Sequence, residues 1–208
     1  AGGTGSVTVS GADSTWSNAN DLQVGYDGSG MLNVNSGATV TSGSGILGTN
    51  ADGRGTATVS GSGSTWTNFG TLQVGSGGAG TLRIENGGLV SVATHAGGNA
   101  TSGVYLNGGT LRIMSTGFSS TPITFTGGGM IDVATPTETS TLSSNIAGPG
   151  GLTKLGAGTL ELAGANAYGG DTRIAVGTVR ATHTSVHTMR FVCFDPAAHE
   201  HYVRELAS

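Results

Sequence analysis

The sequence predicts an all-β chain coiled as a right-handed parallel β-helix of about eight rungs. Three observations carry that expectation. Glycine supplies 40 of the 208 residues. A unit of fifty residues occurs twice, and short strands with every second residue apolar return at intervals of 19 to 29 residues. Glycine costs ~1 kcal/mol per helical position relative to alanine, whereas turns that need positive φ favour it. Charged residues make up 10% of the chain, against ~25% in ordinary globular domains. Mean hydropathy is +0.03, so there are enough apolar side chains to bury a core.

The repeat is read residue by residue. Gly5-Ser6-Val7-Thr8-Val9-Ser10-Gly11 returns as Gly55-Thr56-Ala57-Thr58-Val59-Ser60-Gly61. Ser14-Thr15-Trp16 returns as Ser64-Thr65-Trp66, and Leu22-Gln23-Val24-Gly25 returns unchanged as Leu72-Gln73-Val74-Gly75. A shorter pattern, glycine followed by x-apolar-x-apolar, starts at Gly5, Gly30, Gly55, Gly80, Gly109, Gly129, Gly158 and Gly177. Period-two alternation marks a strand with one face buried. Further short strands lie between: Leu22 to Val24, Ala38 to Val40, Leu89 to Val92, Val104 to Leu106, Ile123 to Phe125, Leu152 to Leu155 and Thr172 to Ile174.

A unit this small cannot bury its apolar side chains alone, but a stack of such units can. Antiparallel hairpins would not require strands to recur in register at these intervals, whereas a coil stacked on itself does. At ~4.8 Å between strands, about eight rungs make a rod roughly 35 to 40 Å long. Alternation sets the register. Val7, Val9, Leu32, Val34, Ala57, Val59, Leu82, Ile84, Leu111, Ile113, Ile131, Val133, Leu160 and Leu162 are expected inside. Thr8, Asn33, Thr58, Arg83, Arg112, Asp132 and Glu161 are expected outside, because a slip of one residue would bury unpaired charges.

The doubled motifs Gly-Ser-Val-Thr-Val-Ser-Gly, Ser-Thr-Trp and Leu-Gln-Val-Gly resemble the fifty-residue repeat of type V autotransporter passengers. The run from Gly150-Gly151-Leu152-Thr153-Lys154-Leu155 through Gly158-Thr159-Leu160-Glu161-Leu162 to Asp171-Thr172 resembles the autotransporter-associated β-strand repeat. Together the two resemblances cover residues 1–179. They imply an extracellular passenger on a bacterial surface, threaded unfolded through an outer-membrane barrel that lies outside this sequence. Adhesion, self-association and biofilm formation are the roles they imply. The expected organisation is tandem repeats over 1–95, irregular rungs over 96–147, the associated-strand repeat over 148–179, and an atypical tail over 180–208.

Composition bounds the chemistry. Net charge is −4 with no basic cluster, which gives nucleic acid no electrostatic footing. No apolar run approaches the ~18 residues of a membrane span. The first 192 residues hold no cysteine, which excludes a disulfide-stapled scaffold. Asp27 and Asp52 lie 25 residues apart and could stack as carboxylates that hold calcium against an acidic sugar. The preferred reading is two Asp-Gly turns, since the series stops at Gly77 and no lysine supports it. Gly77-Gly78-Ala79-Gly80 fails the calcium-binding nonapeptide pattern, because Leu82 stands where an aspartate is required. Trp16 and Trp66 are read as packed corners, with an exposed aromatic strip as the alternative. His95, the one histidine in 1–179, is placed in a loop, and no hydroxyl is paired with a base as a hydrolytic triad requires.

Residues 180–208 lack glycine and hold His183, His187, His199, His201 and Cys193. Met189 to Phe194 reads as a strand and Ala197 to Ala207 as a short helix. A non-native extension, a cap over the open end of the coil and a zinc site all remain open for this segment. The expected function is a non-catalytic stalk without cofactor or metal. Its expected partners are surface molecules of host or neighbouring cells, or other copies of itself. A passive spacer and a carbohydrate-active enzyme using Asp27 and Asp52 are the alternatives.

Overall fold

The computed structural model of the chain describes residues 2–99, 101–115, 118–119, 121–181 and 189–191. Every pairing between its strands is parallel, and each strand lies beside the one from the preceding coil. The first face stacks eight strands: Thr4–Ser10, Ser29–Asn35, Arg54–Ser60, Ala79–Glu85, Gly103–Asn107, Ile123–Phe125, Ile146–Gly148 and Ala167–Tyr168. The second face runs from Thr15–Ser17 through Thr39–Ser42, Thr65–Val74 and Leu89–Ala96 to Thr172–Ile174 and Met189–Phe191. Leu22–Val24 and Gly45–Leu47 close the early rungs by stacking on the end of Thr65–Val74. From the fifth rung onward a third face takes over, with Phe118–Ser119, Thr139–Leu142, Thr159–Leu162 and Thr178–Ala181. Rungs one to four are residues 4–28, 29–53, 54–78 and 79–102.

The interior is the column that alternation requires. Val9, Val34, Val59, Ile84 and Leu106 succeed one another across five rungs in register. From Val34 to Leu106 they are fully buried. Of the fourteen side chains expected inside, Leu32 through Leu162 are all at most 1% exposed. Val9 packs against the core from a half-buried position. Val7 points the same way but is 45% exposed; among the described residues its strand is paired on one side only.

The glycine-led motif does not keep to one face. Leu82 and Ile84 pair onward with Val104 and Leu106, not with Leu111 and Ile113. The motif at Gly109 lies on the second face, where Leu111 and Ile113 sit between Val90 and Val92 on one side and Ile131 and Val133 on the other. The motif at Gly158 lies on the third face, where Leu160 and Leu162 pair with Val179 and Ala181. The two 29-residue intervals are therefore a rung plus a move to the next face, and the shorter intervals are single rungs.

The fifty-residue period has a packing cause. Trp16, Val40, Trp66 and Val90 form one column, so large and small residues alternate along it. Trp66 is fully buried, which answers the aromatic-strip reading for that residue. Its indole Nε1 donates to Ser42 Oγ at 3.1 Å, and Ser42 Oγ donates to Asn68 Oδ1 at 2.7 Å. Beneath the ring lies Gly45, where a Cβ would stand 2.8 Å from Trp66 Cζ2 and 2.5 Å from Asn68 Oδ1. A tryptophan rung needs a stripped neighbour, and two rungs make one repeat. At the corner after the first face, Ser36-Gly37 and Asn86-Gly87 both adopt positive φ, at 56° and 84° and at 51° and 84°. Asparagine and glycine tolerate this left-handed pair best.

One expectation inside the coil is corrected and another is refined. His95 is not in a loop: it lies in strand Leu89–Ala96, in register with Leu72, and is 1% exposed. Neither ring nitrogen has a partner among the described residues, and burial pushes the imidazole pKa down to about 4. Asp132 is on the outward side as expected but is 6% exposed, covered while its carboxylate accepts from Arg112 Nε at 2.7 Å. Of the tail, Met189–Phe191 forms a strand on Thr172–Ile174. The expected helix, Cys193 and the four tail histidines lie outside the described residues.

Two measurements check this interior. Val59→Asp places a carboxylate in the dry column and is expected to cost at least ~4 kcal/mol in urea unfolding, while the outward Thr58→Asp stays within ~1 kcal/mol. The imidazole of His95 takes up a proton near pH 6.5 when unfolded and near 4 when folded. Its contribution to stability is therefore complete above pH 6.5 and is lost as pH falls toward 4. The loss amounts to about 3 kcal/mol. His95→Leu is expected to remove that part of the acid sensitivity, read as a flatter dependence of unfolding free energy on pH.

Candidate functional site

The surface that the fold builds most regularly is the outside of its first and second faces. Four seven-residue strands, Thr4–Ser10, Ser29–Asn35, Arg54–Ser60 and Ala79–Glu85, pair residue for residue without a bulge. Inward positions are filled by apolar side chains, so the alternate positions must face out. They form columns such as Ser6-Met31-Thr56-Thr81 and Thr8-Asn33-Thr58-Arg83. The second face adds Thr15-Thr39-Thr65 and Ser17-Thr41-Thr67. Thr65 Oγ1 donates to Thr39 Oγ1 at 3.2 Å, and Arg83 continues its column by lying over the Tyr105 ring at 4.8 Å. The result is a lattice mainly of hydroxyl and amide groups, interrupted by Met31 and ended by Arg83, ~4.8 Å apart across strands and ~7 Å apart along them.

Asp27 and Asp52 do not stack. Thr49 N donates to Gly25 O and Asn50 N to Tyr26 O, which sets Asn50 over Asp27. The Asn50 amide then donates to the Asp27 carboxylate. In the second rung the corner after Thr39–Ser42 is shorter and the turn before Arg54 is longer, so the 25-residue spacing survives while the two carboxylates part. The calcium-type pair is absent from the described residues, and no three His, Cys, Asp or Glu side chains converge there as a metal site would need. Tyr26 and Phe69 are 54% and 69% exposed but belong to different corners, one before the first face and one within the second.

One charged residue that alternation alone conceals is Lys154. It pairs with Ile131 on one side and Ile174 on the other, which makes it an interior residue of the apolar column, and it is fully buried. Its ammonium donates to the carbonyls of Leu155, Gly156 and Val176 at 2.5, 2.7 and 3.3 Å. Burial pushes its pKa down to about 8 against the pull of the Asp132 carboxylate. Arg112 and Asp132 thus pair on the outward side of adjacent rungs, while Lys154 stands on the inward side of the next rung within electrostatic reach of Asp132. The available signal was that Leu152 faces inward, so Lys154 two positions on must do so too; the apolar Leu155 beside it obscured this. Asp132 and Lys154 are engaged within the fold, and Arg112, part-exposed, spends its Nε on Asp132.

Comparison with known proteins fits this geometry. Residues 152–181 match the passenger-associated-transport-repeat family. Over 88 residues, 41% of this chain, the sequence is 40% identical to the adhesin BmaC autotransporter of Brucella suis biovar 1 (strain 1330). The chain spans 3% of that relative's length. No solved structure matches it. With the stacked parallel coil, the repeat and the relative taken together, the chain carries a passenger-associated-transport repeat and is similar to autotransporter passengers.

Proposed function

We propose that this chain is a segment of a surface-displayed passenger that acts in adhesion without catalysing a reaction. The observation that carries the reading is the in-register lattice of outward serine, threonine and asparagine on the first two faces. Each hydroxyl contributes little against water, since a net hydrogen bond is worth about 1 kcal/mol. Many of them, held at fixed spacing on a rigid rod, add through multivalency. The partner is a surface molecule of a host or neighbouring cell, or the same lattice on a second copy. The similarity to an adhesin supports this class. Ionisable groups that are scattered singly or spent inside the coil favour binding over chemistry.

The reading places the segment outside the cell, tethered to an outer-membrane barrel beyond this sequence. No helix among the described residues is long and apolar enough to cross a membrane. The uniform fifty-residue unit also suits a spacer that holds a more distant binding domain. In-frame deletion of 5–54 removes two rungs, and a pure spacer would keep full binding at shorter reach.

The deciding experiment displays the parent passenger on cells and replaces Thr8, Asn33 and Thr58 together with lysine. Aggregation and surface attachment are expected to fall by about tenfold or more, because like charges would face any second lattice. Unchanged aggregation and attachment, with the coil still folded by circular dichroism, contradict a role for this face.

A further inference from the structure

We propose that a notch on the turn side of rungs two to four binds one unit of a saccharide chain. The inference rests on the adhesive reading above and names a ligand class for it. The notch arises from unequal turns. Gly77 N donates to Thr49 O, and Ala79 N donates to Gly53 O, so Gly78 alone spans what Ala51, Asp52 and Gly53 span in the rung beside it. The second rung therefore stands proud as one wall, with Asp52 and Arg54 on it. Asn99 and Thr101 of the fourth rung form the other wall. The walls are two strand spacings apart, about 10 Å between backbone axes, and the open notch between them has a volume of about 450 Å³. That is within the range of small-ligand sites, ~300–1,000 Å³.

The floor is bare backbone of necessity. A Cβ on Gly78 would fall 2.2 Å from Gly53 O and 2.3 Å from Asn50 O, so no side chain can fill the space from below. The two walls differ in what they have left to offer. Asn99 is engaged within its own wall, donating to Gly78 O and accepting from Thr101 and Ser102. Asp52 and Arg54 are exposed, and neither has an ion pair or hydrogen-bonded side-chain partner among the described residues. A free carboxylate accepts from two vicinal hydroxyls, and a free guanidinium donates to ring or hydroxyl oxygens. A narrow polar slot with a peptide floor and this donor–acceptor pair fits a sugar ring better than an apolar or highly charged ligand.

The 208-residue chain is to be tested on an array of neutral, N-acetylated and acidic oligosaccharides, followed by titration with whichever oligosaccharide is retained. Asp52→Ala removes the free carboxylate. Ala79→Tyr, at a half-buried position lining the notch, fills it without entering the interior. At least one oligosaccharide is expected to bind, with both variants weakening it about tenfold or more and Asp13→Ala, at an exposed corner outside both the notch and the lattice, leaving it unchanged. Melting temperatures are compared so that a lost fold is not scored as a lost site. An array with no retained glycan, or binding that survives both folded variants, overturns the proposal. The broader adhesive reading fails by a different result, cells displaying the parent passenger that neither clump nor attach.

Discussion

A coil stacked on itself can satisfy its backbone polar groups only through the rung above and the rung below. Unpaired peptide groups are expensive once buried, so strand length, corner shape and side-chain choice must all serve the registration of one rung on the next. The column from Val9 through Val34, Val59 and Ile84 to Leu106 is the apolar expression of that requirement. Once it is in place, the outward positions on the same strands are set with equal regularity, and the surface lattice follows from the packing of the interior.

The same requirement accounts for the places where the pattern is broken. A tryptophan in the column is accommodated by removing the side chain at Gly45 and supplying Ser42 as an acceptor for the indole. A corner shortened in one rung is compensated by a longer turn in the same rung, which keeps the next strand in phase and pushes Asp52 outward. Lysine enters the column at Lys154 because three corner carbonyls and the neighbouring Asp132 receive its charge. Such compensations explain how a rod of repeated strands comes to carry local features without losing register.

The inward residues were legible because alternation leaves a side chain only two directions and charge burial excludes one of them. The repeat was legible at fifty residues, yet its cause was not, since the contact of Trp66 with Gly45 joins positions that are unremarkable apart. The same holds for the motif at Gly109 and Gly158, whose local pattern is identical on every face of the coil. His95 was misplaced because a histidine flanked by threonine, alanine and glycine reads as a loop, while its strand is imposed by Leu72 beneath it. Asp27 and Asp52 mislead for the opposite reason: equal spacing along the chain does not mean equal position in the rung. The notch was invisible because it is made of a residue count, one against three, between turns of adjacent rungs.

Neighbourhood across one rung is most directly tested by cysteine pairs on the outward side, in a chain with Cys193 replaced by serine. Asn33→Cys with Thr58→Cys joins register partners, with Cα atoms expected ~4.8 Å apart, within disulfide reach. Mild oxidation is predicted to crosslink that pair and to leave Asn33→Cys with Arg83→Cys, two rungs apart, reduced. Crosslinking of the second pair and not the first would contradict a coil whose turns lie side by side.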